Sequence, residues 1–228
     1  MYLSDLKDLV SSLAVITTIL QFLSGSLVCK QYVVNGTTSE SSPLPFICGF
    51  TSSGLWLFYG LTKQDNKIIL VNSFGIVLSV SYVLVFYIYT IKKTSVLRQF
   101  LLSITIHVFT IGYMSVEEDN EVLLSRLACS LTLLTIAAPM IKLFYVIRTK
   151  CTDCLPFPMI FMSLIVSSLW FVYGVIEEDI YLSVPNFIGV VLALAQLSLF
   201  VIFPSIPHSP LISKTTLVNN IVERETIP

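Results

Sequence analysis

Five pairs of chemically distinctive residues recur in this chain of 228 residues at one constant separation: Asn72 and Asn186, Trp56 and Trp170, Tyr59 and Tyr173, Asp65 and Asp179, Ser53 and Ser167 are each 114 positions apart. An amide in apolar surroundings both donates and accepts, which suits a solute rich in hydroxyl groups, while the alternative use is bonding between neighbouring helices. Indole stacks on the apolar face of a pyranose as its N–H seeks a hydroxyl; its other common place is the lipid interface. A phenol meeting a carboxylate across a two-fold axis closes the mouth of a passage, against the plainer reading of an interfacial tyrosine beside a solvated acid. The serines either add hydroxyls to a site or permit close helix approach.

The spacing belongs to a longer repeat. Between residues 53 and 78 an ungapped shift of 114 gives ten identities in 26 positions, including Leu55, Gly60, Gly75, Val77 and Leu78 with Leu169, Gly174, Gly189, Val191 and Leu192. Shared apolar composition alone gives roughly two. The same shift pairs Gln21 with Thr135 and Gly25 with Pro139.

The elements that carry these residues follow from composition. Hydrophobic residues make up 55% of the chain and charged residues 12%, against about 25% charged in a soluble domain, so a lipid bilayer must face most of the surface. A net charge of −1 leaves no basic stripe for nucleic acid. Bilayer hydrocarbon about 30 Å thick calls for some 20 apolar residues per helix, and seven such runs occur, at 9–29, 44–61, 68–91, 100–116, 123–147, 155–176 and 180–203. Their length and lack of strict alternation favour helices over barrel strands. The first run follows Asp5, Lys7 and Asp8 and exceeds a signal core, so it is expected to stay as a membrane helix. Residues 204–228, with Pro204, Pro207 and Pro210, are expected to form a flexible cytosolic tail.

Connections after the odd-numbered helices hold Lys30, Lys92, Lys93, Arg98, Arg148, Lys150, Lys214 and Arg224, and the other side Lys7, Lys63, Lys67 and Arg126. This bias predicts a cytosolic C-terminus and an outside N-terminus. Asn35-Gly36-Thr37 is a glycosylation sequon that this topology places in the cytosol. It is expected to carry no glycan, and mass spectrometry of the native protein finding one would overturn the topology.

A shift of four helices restores the direction of crossing, so helices 1 to 3 (9–91) and 5 to 7 (123–203) form parallel halves joined by a linker helix (100–116). The fold class is thus all-α with seven transmembrane helices in a 3+1+3 plan. Parallel repeats of this kind place a substrate between them near the midplane, and SWEET transporters are themselves a known example. The strings Pro45-Phe46, Leu55-Trp56-Leu57-Phe58-Tyr59-Gly60 and Val71-Asn72, then Leu155-Pro156-Phe157, Leu169-Trp170-Phe171-Val172-Tyr173-Gly174 and Val184-Pro185-Asn186-Phe187 resemble the SWEET sugar transporters of the animal and insect type.

The resemblance implies facilitated, uncoupled and bidirectional passage of mono- or disaccharides by alternating access. It implies a sugar site at Asn72, Asn186, Trp170 and, less firmly, Trp56, with Ser53 and Ser167 nearby. Gln21 and Thr135 match selectivity positions, with helix packing as the alternative. Gly25, Pro45, Pro139 and Pro156 match four hinge prolines, the first replaced here by glycine, and Pro45 and Pro156 equally suit helix starts. Tyr59, Tyr173, Asp179 and Asp65 form the implied outer gate. A bulky tryptophan pair is expected to favour monosaccharides. No cofactor and no metal are expected: Cys151 and Cys154 lack a second ligand pair, and no metal or nucleophile cluster marks an enzyme. His107 has no counterpart in the repeat and reads as a packed histidine rather than a proton relay. A proton-coupled amino-acid exporter of the PQ-loop type would need a carboxylate within the membrane, and a seven-helix receptor would not repeat. The expected partners are a sugar and the bilayer, with homo-oligomerisation left open. Thr226-Ile227-Pro228 is no retention signal, so the plasma membrane is the default location and the Golgi membrane the alternative.

Overall fold

The computed structural model describes residues 3–39, 41–114, 120–135, 137–152 and 155–203. These form α1 (Leu3–Leu23), α2 (Gly25–Asn35), α3 (Leu44–Lys63), α4 (Asn66–Tyr89), α5 (Lys93–Met114), α6 (Asn120–Thr135), α7 (Ala137–Thr149), α8 (Phe157–Ile176) and α9 (Ile180–Ile202). Among the described residues seven helical segments are long and apolar enough to cross a membrane, α1 with α2 and α6 with α7 each counting as one. Some helices outrun the apolar stretches that announce them, α1 starting at Leu3 and α5 at Lys93, whereas α8 and α9 stop short of theirs. The linker α5 begins at Lys93 rather than at residue 100, because apolarity marks the part facing lipid whereas the helix needs only backbone bonding to continue. The segment after Phe203 and the second cysteine of the CxxC lie outside the described residues.

Sequence fixes the local starts. Asp65 caps α4, its Oδ1 accepting from the backbone N–H of Lys67 at 2.8 Å and Ile68 at 3.2 Å, and Asp179 caps α9 in the same way through Tyr181 and Leu182 at 3.0 and 3.1 Å. Pro45 sits in the first turn of α3, and Pro156 is the residue before α8, where a proline costs no helical hydrogen bond.

The spans form a ring. Within the first half α4 packs between α1 and α3; within the second, α9 packs between α6 and α8; α1 then meets α8, and α3 meets α6. Serine opposite glycine lets the third helix of each half approach closely: a Cβ on Gly75 would lie 2.4 Å from Ser53 Oγ, and one on Gly189 would lie 2.8 Å from Ser167 Oγ.

The linker α5 lies outside the ring against α3. The His107 ring rests on Gly54, between the rings of Phe50 and Phe58 at 4.9 and 5.9 Å. Its Nδ1 donates to the Ser103 carbonyl at 2.8 Å, and the Thr51 and Ser103 hydroxyls bond at 2.5 Å. A Cβ on Gly54 would meet His107 Nε2 at 1.8 Å. Gly54→Ala is therefore expected to destabilise the protein by about 1–3 kcal/mol through overpacking, read as a lower melting temperature in detergent.

The first span of the first half breaks at Ser24, which separates α1 from α2. In each half the third helix sends a side chain to a carbonyl of the first span: Tyr82 OH donates to Phe22 at 3.1 Å, and Gln196 Nε2 donates to Pro139 at 3.1 Å. Residues 82 and 196 are again 114 apart.

Candidate functional site

At one end of the ring, the end carrying the start of α1, the interior is filled. Ala14, Leu124, Ala128, Leu55, Ile68 and Leu182 belong to one buried cluster there. Tyrosine–aspartate bonds cross between the halves there. Tyr59 OH donates to Asp179 Oδ2, and Tyr173 OH donates to Asp65 Oδ2 at 2.7 Å. Each aspartate thus divides its oxygens, one capping its helix and the other holding the tyrosine of the opposite half. Lys7 and Glu177 add an ion pair at 2.5 Å between α1 and α8 at the same end. The four residues of the expected outer gate therefore meet as two reciprocal pairs.

Beneath this latch lies a cavity of about 650 Å³, a volume within the usual range for small-molecule sites. Asn72, Asn186, Trp56 and Trp170 all line it. Asn72 Nδ2 donates to the Ile68 carbonyl and Asn186 Nδ2 to the Leu182 carbonyl, each at 2.8 Å. Each of these bonds uses one amide hydrogen and leaves the amide oxygen out of it. Both tryptophans are more than nine-tenths buried, at 9% and 7% exposure. Trp56 Nε1 donates to Thr132 Oγ1 at 3.0 Å, and Trp170 Nε1 donates to Thr18 Oγ1 at 2.8 Å. These threonines, which the reading of the sequence passed over, also line the cavity and lie 114 residues apart.

Away from the latch the cavity runs between α3 and α6, past Cys48, Gly49, Leu131 and Thr135, to Pro45, Leu44 and Leu134, the last two exposed at 50% and 68%. Ser53 is on its wall, whereas Gln21 and Ser167 are not among the lining residues. Gln21 Nε2 instead donates to Ser163 Oγ at 3.0 Å, tying α1 to α8. At the corresponding place on the other seam the pair is Thr135 and Gly49, which has no side chain to bond. The cavity is thus one-sided, parted between α3 and α6 and pinned between α1 and α8. Among the described residues no carboxylate, ammonium, guanidinium or imidazole lies on its wall. Pro185, inside α9 beside Asn186, is a further helix-bending residue next to the site.

The sequence profile of a family described as "Sugar efflux transporter for intercellular exchange" matches residues 8–94 and 122–208, once in each half. The chain belongs to the SWEET family. It is 38% identical over 207 residues to the sugar transporter SWEET1 of Drosophila pseudoobscura pseudoobscura, covering 89% of this chain and 92% of that protein. It is 34% identical to the sugar transporter SWEET1 of Caenorhabditis elegans, over 84% of this chain and 64% of the worm protein. The fold matches that of a eukaryotic SWEET transporter with a TM-score of 0.77 at 20% identity, over 86% of this chain and 98% of the other. SWEET membership makes the protein a multi-pass membrane transporter rather than an enzyme.

Proposed function

We propose that the protein is a facilitative sugar uniporter that works in both directions by alternating access, and that this conformation is the one with the outer latch closed and the inner side open. The observation that carries the reading is the cavity at the junction of the two halves, walled by paired amides and indoles and, among the described residues, free of ionisable groups other than the Cys48 thiol. Amide groups match hydroxyls by donating and accepting, and indole faces match the C–H faces of a pyranose. Proton coupling would call for a carboxylate on the wall, so an uncharged solute moving down its own gradient fits better than a proton-driven amino acid. The paired tryptophans narrow the site toward monosaccharides. The N-terminus lies outside and the C-terminus in the cytosol, in the plasma membrane by default and the Golgi membrane as the alternative. Asn72, Asn186, Trp170 and Trp56 form the sugar site, with Ser53 on its wall, while Pro139 and Gly25 mark where the first span of each half bends.

Purified protein in proteoliposomes tests this. Glucose uptake is expected to exceed sucrose uptake, and faster sucrose uptake would contradict the proposed selectivity. With the other cysteines replaced, Cys48 is expected to react with a membrane-impermeant maleimide from the cytosolic face and to be protected by glucose. Labelling only from the opposite face would contradict the proposed conformation and topology.

A further inference from the structure

We infer that Thr18 and Thr132 are positioning residues of the sugar site, each holding the indole of the other half so that the ring face, rather than the N–H, meets the solute. The inference rests on the sugar-transport reading above. Each threonine hydroxyl is committed twice: it accepts from the indole and donates to the carbonyl one turn back, Thr18 to Ala14 at 2.7 Å and Thr132 to Ala128 at 2.9 Å. Ala14 and Ala128 are fully buried, so the helix segments that present the hydroxyls are packed in place. An indole has one donor and no acceptor. Once that donor is spent on threonine, hydrogen bonding to the sugar falls to Asn72, Asn186 and the wall hydroxyls such as Ser53, and Trp56 and Trp170 contribute their faces.

The braces also tie the site to the latch. Trp56 meets Tyr59 edge to face at 5.4 Å, and Trp170 meets Tyr173 at 5.7 Å; each tyrosine is bonded to the aspartate of the opposite half. Thr, Trp, Tyr and Asp thus form two continuous lines, each beginning and ending in one half with its aromatic pair in the other. Any rocking of one half against the other must break or re-aim the indole bonds, so indole orientation is set by the relative position of the halves.

The two tryptophans are the only ones in the chain, which makes the bond visible in solution. In a Trp56→Phe background Trp170 is the sole indole fluorophore. Thr18→Val is expected to shift its emission and raise its acrylamide quenching, whereas Thr18→Ser, which restores the acceptor, leaves both as they were. In the otherwise unaltered protein Thr18→Val is expected to raise the glucose KM about tenfold, the effect of one unpartnered buried donor, with kcat within about twofold, and Thr18→Ser to restore KM. Thr17→Val, at a hydroxyl that bonds only its own helix, is expected to change neither readout. Equal KM for the Val and Ser variants, or an emission unmoved by Thr18→Val, overturns the inference. Should Thr18→Val fail to fold, Thr132→Val with Trp170→Phe reports the same bond from the other half. A wild-type protein that moves no sugar defeats the transport reading itself, and the emission of Trp170 then decides the brace alone: a shift in Val but not in Ser sustains it, and no shift overturns it.

Discussion

Asn72→Ala and Asn186→Ala are each expected to cut sugar flux by at least about 30-fold while leaving expression, elution volume and melting temperature close to wild type. An amide can both accept from and donate to a solute hydroxyl, and a hydroxyl left unpartnered in a dry site costs about 1–3 kcal/mol. Two lost capacities give about 2–6 kcal/mol, and each 1.4 kcal/mol is a factor of ten. Folding is spared because the amide bonds its own helix, at Ile68 or Leu182, and alanine suits a helix interior better than asparagine. Radiolabelled glucose uptake with thermal denaturation on the same preparations checks this. Wild-type flux in both variants would move the sugar site elsewhere.

Tyr59→Phe combined with Tyr173→Phe is expected to shift the protein strongly away from the latched conformation. A hydrogen bond to a charged group contributes about 1.5–3 kcal/mol net, so two of them hold the latch by about 3–6 kcal/mol, a shift of roughly 100-fold to 10,000-fold in the ratio of the two states. The phenylalanines keep the rings edge to face against Trp56 and Trp170, and Asp65 and Asp179 keep their helix caps through Oδ1. Stability is thereby separated from gating. The check is the rate at which a cytosolic maleimide labels Cys48: it is expected to fall by tenfold or more, with net flux falling too, and unchanged labelling would mean that something other than the latch shuts the outer end.

The spans and the repeat were legible because both rest on residue type alone, apolar runs of bilayer length and identities at a fixed shift. A phenol meeting a carboxylate across the axis was legible from the repeat, whereas the specific pairs, Tyr59 with Asp179 and Tyr173 with Asp65, come from the structure. Thr18 and Thr132 carried the same signal, yet a threonine in a helix bonds its own backbone so readily that nothing singled these two out. Tyr82 and Gln196 were hidden for the opposite reason: a phenol and an amide each bond a carbonyl of the first span of their half, and a search for identities cannot see that. The one-sidedness of the cavity was illegible because it depends on Gln21 meeting Ser163 across the halves, while their counterparts Thr135 and Gly49 cannot bond. The start of α5 was placed late because Lys93 to Gln99 holds only Val96 and Leu97 among polar residues, and polarity says where lipid ends rather than where a helix does.

The most direct test of the central claim is glucose flux through the purified protein in proteoliposomes, measured inward and outward, with and without a pH gradient. Uniport through an uncharged cavity predicts saturable flux in both directions that is the same with and without the gradient. Flux that requires the proton gradient, or no glucose flux at all, would contradict it.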